Sequence, residues 1–383
     1  MTLTGFITKN AFRNRRRSIL TVLSIAFSLL LLTFMMTIWR SFYIDQGAPD
    51  SAKRLMTRHR VSLTFFLPGF YREKIRSVPG VVAVVPMTWF GGRYKDDKPE
   101  NFFAQFATDP VEYLKVAADK NVPPDQAEAW ERDRAGAMVD HELARKFGWK
   151  IGDRITLLGT IFPINPELTI RAIYTMDPPN RTLYFHSTYL EEAVPWIKGR
   201  AGFFFTRVGS AQEVASAARA VDDMFRNSPQ PTKTESEKAF QLGFVAMLGN
   251  VKAFILSICA AVVFAILLVS ANTMAMSIRE RTREVALLKT LGFTRVGVLT
   301  IFVGEAVSLS VVGGVLGVLA ATGLGFALSH TPSGMVIPTR LTVSGPTMVM
   351  AVVVAALVGF VSAFLPAYHA SRTSIVEGLR YIG

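Results

Sequence analysis

The residues that could do chemistry are few, and most lie beside or inside long apolar runs. Ile278-Arg-Glu-Arg-Thr-Arg-Glu-Val-Ala-Leu-Leu-Lys-Thr-Leu-Gly-Phe-Thr-Arg295 is a charged segment between two such runs. Ile278, Val285 and Leu288 fall on one helical face, with Leu287 and Leu291 beside it. Gly292 suits the stop of that helix and Thr294 the cap of the next. Such a segment either anchors the chain at the membrane surface or offers a handle to a cytoplasmic partner. Glu305 is the one carboxylate inside an apolar run, either a functional intramembrane group or an interfacial anchor. Asn272 and Thr273 are placed to hydrogen-bond between helices.

Enzyme chemistry finds no support. The chain has no G-x-x-x-x-G-K-[ST], so it does not itself cradle nucleotide phosphates through a P-loop, and no G-x-S-x-G nucleophile turn. The five histidines, at 59, 141, 186, 330 and 369, have no paired spacing for a metal. His141-Glu142 reads as a solvated pair. The one cysteine, Cys259, excludes a disulfide framework and reads as a small packing residue.

The elements that carry these residues follow from hydropathy. Half of the 383 residues are hydrophobic. They concentrate in four runs, each long enough for a membrane helix: 19–39, 253–276, 296–328 and 347–366, the last closed by Pro366. Within the third, Gly313, Gly314 and Gly317 form a small-x-x-x-small face for close helix packing, within or between chains. Lys9, Arg13 and Arg15 to Arg17 make a basic amphipathic lead-in over 1–18. That lead-in, the 278–295 loop and the tail over 367–383 carry most of the +13 net charge. The positive-inside rule puts all three, and both termini, in the cytoplasm. The charge is a topology signal, and a nucleic-acid partner loses its main support. The first run is longer than a signal-peptide core and leads into no small-x-small site, so it reads as a retained anchor.

Residues 40–245 then form an extracytoplasmic domain of nearly balanced charge. Strands are expected at 61–67, 81–86, 101–107 and 203–208, and helices at 71–77 and 211–225. Two β-α halves would flank a β-rich insert at about 108–190, which carries strands at 137–140, 153–158 and 168–174 and a helix at 141–147. Proline is absent from 232 to 331, so the second membrane helix is expected to begin near Glu235 as a continuous stalk, with 246–277 assigned to stalk and second transmembrane helix together. A loop at 329–346 joins the last two spans. Phe65, Phe66, Trp89, Phe102, Phe103 and Phe203 to Phe205 supply core packing or line an apolar site. The fold class is an integral membrane α-helical protein with four transmembrane helices and an α+β extracytoplasmic domain between the first and second spans.

Several segments resemble the FtsX-like permease family, and within it the MacB-type (type VII) ABC transporter permeases. They are the Arg-rich lead-in, Ile75 to Pro86, Val139 to Asp153, Arg283 to Arg295, and the tail Leu365 to Arg372 followed by Glu377 to Arg380. The segment Arg283 to Arg295 is close to the family's R-E-I-x-x-L-K-x-L-G-x-x-[RK]; Ser374-Ile375 departs from the Asp-Pro of many relatives. The resemblance implies a homodimer, or a heterodimer with a similar permease, bound to separate cytoplasmic ABC ATPase subunits that hold ATP and Mg. It implies no cofactor in this chain. The family's coupling helix maps onto Arg283, Glu284, Leu287, Leu288, Lys289, Leu291 and Gly292. A periplasmic adaptor and an outer-membrane channel are further implied partners in a bacterial inner membrane. Export by mechanotransmission is the function implied first. FtsX-like signalling to an extracytoplasmic hydrolase and LolC-like lipoprotein or lipid extraction are the alternatives.

Overall fold

A computed structural model describes residues 15–44, 49–96, 98, 101–247, 249–329 and 342–374. The basic residues before 15, the loop residues 330–341 and the tail from 375 onward lie outside the described residues, and with them most of the expected lead-in and the Glu377 to Arg380 motif. The chain divides into two compact units, a helical unit and an outer unit covering 44–249.

The helical unit begins with α1 (Arg15–Tyr43). In the outer unit, strands β1 (Arg54–His59), β2 (Leu67–Pro68), β3 (Val81–Trp89) and β4 (Ala104–Thr108) come first, with helix α2 (Tyr71–Arg76) between β2 and β3. Helices α3 (Pro110–Val116) and α4 (Pro124–Arg132) lead to β5 (Gly136–Asp140), α5 (His141–Phe147), β6 (Arg154–Thr156), β7 (Glu167–Tyr174), β8 (Thr182–His186) and α6 (Ser187–Ala193). The unit closes with β9 (Arg200–Ala201), β10 (Phe203–Val208), α7 (Val214–Met224), β11 (Thr232–Ser236) and α8 (Glu237–Met247). Nine strands form one sheet in the order β11-β1-β10-β3-β4-β8-β5-β7-β6.

Strand alternation builds the two faces of this sheet. Met56, Phe205 and Val85 are cross-strand partners on β1, β10 and β3, and they share one core with Tyr113 and Trp130 of α3 and α4. Their neighbours Leu55, Phe204 and Val84 face the other way, against α2 and α7, where Tyr71 stacks on Phe225 at 3.8 Å. The two expected β-α halves are therefore β1-α2-β3 and β10-α7-β11.

Three expectations for this part of the chain are corrected. The expected strand at 61–67 is absent but for Leu67, which opens β2: the Ser62 hydroxyl accepts from the Thr64 amide at 3.2 Å, a local side-chain bond that competes with a ladder. The strand lies earlier, at β1, where buried Arg54 disguises its inward face. The 108–190 region is no separate β insert. Its strands continue the main sheet, β4 pairing β8 in parallel, and four helices accompany them. The continuous stalk is also absent, since β11 still occupies 232–236 and α8 ends before Gly249, whose φ is 98°. Asn250 then starts a fresh helix by accepting from the Ala253 amide at 3.1 Å.

The helical unit resumes with α9 (Val251–Glu280), α10 (Thr282–Thr290), α11 (Arg295–Ser329) and α12 (Gly345–Arg372). The four long helices α1, α9, α11 and α12 are each long and apolar enough to cross a membrane. The fourth does not close at Pro366 but runs on to Arg372; a proline is tolerated in a membrane helix where neighbouring helices pack around it. Without a hydrophobic force between helices in lipid, close packing must hold them together. A Cβ on Gly317 would lie 2.6 Å from the Ala26 carbonyl oxygen and 3.0 Å from the Leu30 amide of α1, while one on Gly314 would lie 2.6 Å from Ala355 Cβ of α12. Gly313 meets Ile25 in the same way. The glycine face thus packs helices within this chain. Cys259 is buried beside Ile255 and Ile266, a packing residue as expected.

Gly317→Leu is expected to lower the melting midpoint of the detergent-solubilised chain, at a cost of about 1–3 kcal/mol, because the clash is with backbone. Gly323→Ala, where a Cβ meets nothing within 4 Å, is the neutral control. In the outer unit, buried Arg54 donates to Asp119 at 2.5 Å and to Glu237 at 2.6 Å. Arg54→Ala leaves two carboxylates facing an apolar surround and is expected to cost about 3–5 kcal/mol. Burial pushes the Asp119 carboxyl up, but the Arg54 guanidinium more than offsets it and the net shift is downward. Asp119 therefore adds stability above the ordinary carboxylate range. That stability is lost as pH falls through its depressed value, and acid melting curves of Asp119→Asn should show a shallower fall.

Candidate functional site

The site is the loop helix α10 and the ends of the helices around it. Arg281 forms the joint: its amide donates to the Ile278 carbonyl at 3.1 Å, and its own carbonyl accepts from Val285 at 3.0 Å. Ile278 therefore belongs to α9, not to the loop helix. The far end is a Schellman stop, in which Phe293 N–H donates to the Leu288 carbonyl and Gly292 N–H to that of Lys289, both at 3.1 Å, with Gly292 at φ 93°. Thr294 caps α11 by accepting from the Gly297 amide at 3.1 Å. The expected roles of Gly292 and Thr294 are both seen.

The two sides of α10 differ sharply. Val285 is buried and Leu288 packs partly buried beside it, against Ile278, Val298, Phe302 and Ala367. Leu287 is 51% exposed and Leu291 76%. Arg283 precedes Leu287 by four residues and is exposed as well. Of the residues expected in the docking helix, Arg283, Leu287 and Leu291 thus share an open face, whereas Leu288 belongs to the interior. Lys289 is turned inward too, donating to the Thr373 carbonyl at the end of α12 at 2.5 Å. Burial and then the nearby Arg295 charge lower the Lys289 pKa. Glu284 is half-exposed, 4.0 Å from Arg281.

The polar groups expected inside the spans separate in the same way. Glu305 is buried and accepts from Arg281 Nη1 at 2.7 Å, with both side chains under a tenth exposed. Ten residues, about 15 Å of helix, separate it from the start of α11. The carboxylate is thus an ion-pair partner of the loop joint. Asn272 and Thr273 do not link helices: Asn272 is exposed on α9, and Thr273 bonds back to Val269 of its own helix at 2.8 Å. Two residues earlier, Ser270 makes a polar link from α9 to Ser362 of α12 at 2.8 Å. Arg281 was hidden among the loop cations in the sequence. Its signal was indirect, since a lone carboxylate in a span requires a cation from a neighbouring element. Among the described residues no cluster of His, Cys, Asp or Glu could hold a metal ion.

Four membrane helices, an α+β domain between the first two and a clamped loop helix between the next two define a membrane permease architecture. The chain belongs to the FtsX-like, MacB-type family of ABC transporter permeases. The model of the MacB-like periplasmic core domain matches residues 18–224, and that of the FtsX-like permease C-terminal region matches 254–375. The chain is similar to the uncharacterized ABC transporter permease YknZ of Bacillus subtilis, 30% identical over 250 residues that cover 62% of this chain and 61% of that one. It is also similar to the macrolide export ATP-binding/permease protein MacB of Bordetella avium, 36% identical over 108 residues, 28% of this chain and 16% of that protein. Both alignments span less than two thirds of the relative's length. The extracellular domain of YknZ is a similar solved structure, 14% identical, with a TM-score of 0.35, covering 48% of this chain and 99% of that one.

Breaking the Arg281–Glu305 pair on one side leaves a buried charge. Glu305→Gln is therefore expected to cost about 3–5 kcal/mol in detergent melting. The double variant Arg281→Met, Glu305→Met removes both charges and should recover most of that loss. Equal melting of wild type and both variants would show that the pair is solvated.

Proposed function

We propose that this chain is the permease subunit of an ABC transporter in which a separate cytoplasmic ATPase docks on α10. ATP and Mg bind in that partner, and hydrolysis there drives export by mechanotransmission, without substrate crossing through the helices of this chain. The observation that carries the reading is the open face of Arg283, Leu287 and Leu291 on a helix whose other side is tied down. A push on that face cannot be absorbed by local rotation, because Arg281 ties one end to α11 and Lys289 ties the other to α12. The stroke passes into α11 and α12 as well as α9. Two copies, or this chain and a similar permease, sit in the bacterial cytoplasmic membrane with both termini inside and the α+β domain outside. The match to the MacB-type core domain supports export over hydrolase signalling or lipoprotein extraction. It also supports an adaptor and an outer-membrane channel as further partners.

Leu287→Asp and Leu291→Asp are expected to weaken association with the ATPase encoded nearest to this chain by about 30-fold or more, as loss of a central apolar anchor does. Neither should move the melting midpoint. Leu288→Asp should lower the midpoint, since its side chain joins the interior cluster. Co-purification and ATPase stimulation unchanged in the Leu287 and Leu291 variants would overturn the docking assignment.

A further inference from the structure

The outer unit carries an aromatic ledge that the transport reading leaves unused. Trp196, in a 3₁₀ turn over Pro195–Ile197, is 54% exposed, and Phe65 is 53% exposed. Neither ring is loose. Trp196 stacks at 5.9 Å on Phe162, which is itself buried, and meets the edge of Phe66 at 5.4 Å. Phe65 packs on the ring of His59 at 5.0 Å. The two segments that carry these rings are joined by the β2–β9 ladder. There the backbones come so close that a Cβ on Gly69 would lie 2.8 Å from the Gly199 carbonyl oxygen. Half-exposed aromatic rings held rigid from beneath have little conformational entropy left to lose on binding.

Cations border this ledge. Arg60 follows His59, Lys198 follows the Trp196 turn, and Arg200 lies opposite Pro68 in the ladder. All three side chains are exposed, and among the described residues none is paired with a carboxylate. The one acid in this stretch engaged with it, Glu191, accepts from the Gly199 amide at 3.3 Å. Tryptophan with arginine is the composition of a protein-binding hot spot. A lipid tail or small apolar ligand would instead need a concave site that encloses it, and rings standing half out of the surface do not enclose.

We propose that this ledge docks an acidic segment of a partner protein, its apolar side chains set against Trp196 and Phe65 and its carboxylates against Arg60, Lys198 and Arg200. The site is remote in sequence from α10 and does not depend on ATPase docking there.

The test uses the full chain in nanodiscs of zwitterionic lipid. The probe is a fluorescent 12-residue peptide alternating Glu with Leu and Trp, followed by anisotropy. Wild type should bind it, and binding should fall with salt. Trp196→Ala, and separately Lys198→Glu with Arg200→Glu, should each weaken binding at least about tenfold. The charge variant changes only exposed side chains and keeps the test valid should Trp196→Ala misfold. The same peptide with Lys for Glu should not bind. Equal binding of the acidic peptide by wild type and both variants, or equal binding of the basic peptide, would overturn the proposal. In cells, a photo-crosslinking residue at position 65 should yield an adduct on an acidic segment of a protein. A lipid adduct, or none, would overturn it.

Discussion

A carboxylate buried among the helices by α11 must find a cation, and this requirement organises the end of the helical unit that carries the loop helix. Glu305 is buried among side chains, where a carboxylate needs a partner to replace water. The guanidinium that neutralises it comes from Arg281, the residue at which α9 ends and α10 begins. One ion pair therefore sets where α9 stops, which way the loop helix leaves, and which of its sides faces inward. Val285 and Leu288 fall onto the interior cluster as a result. Leu287 and Leu291 are left outside by the same rotation.

The outer unit obeys a different constraint. Its sheet is covered on both faces, so inward-pointing residues on successive positions of one strand must satisfy two separate cores. Leu55 and Met56, Val84 and Val85, Phe204 and Phe205 are such pairs. Apolar runs without alternation are the consequence, as for any strand buried on both sides. The exception is Arg54, whose charge is tolerated because Asp119 and Glu237 both reach it.

Much of this was legible in sequence, and the gaps have physical causes. The four membrane helices were visible because a span needs an unbroken apolar stretch, and β3, β7 and β10 because their composition is β-branched and aromatic. The glycine face on α11 was also legible, though its partners α1 and α12 were not, since a small-residue stripe does not name what approaches it. β1 was missed because buried Arg54 and half-buried Arg58 look like surface residues until their carboxylates are placed. Proline misled twice. Its absence suggested one long stalk where Gly249 and Asn250 restart the helix, and Pro366 suggested an end where the helix runs on. The Arg281–Glu305 pair spans 24 residues and two helices, and only the fold brings it together.

The sheet order has a mechanical consequence. The strand that follows the first membrane helix and the strand that precedes the second are antiparallel neighbours, with Leu55 opposite Ser236. The two leads of the outer unit thus leave it side by side, like the tabs of a zipper, and Arg54 bonded to Glu237 is a clasp across its mouth. Pulling the leads apart must break that buried clasp before the first ladder bond can open. Moving them together leaves the zipper shut, so the outer unit resists being split yet is free to be carried whole.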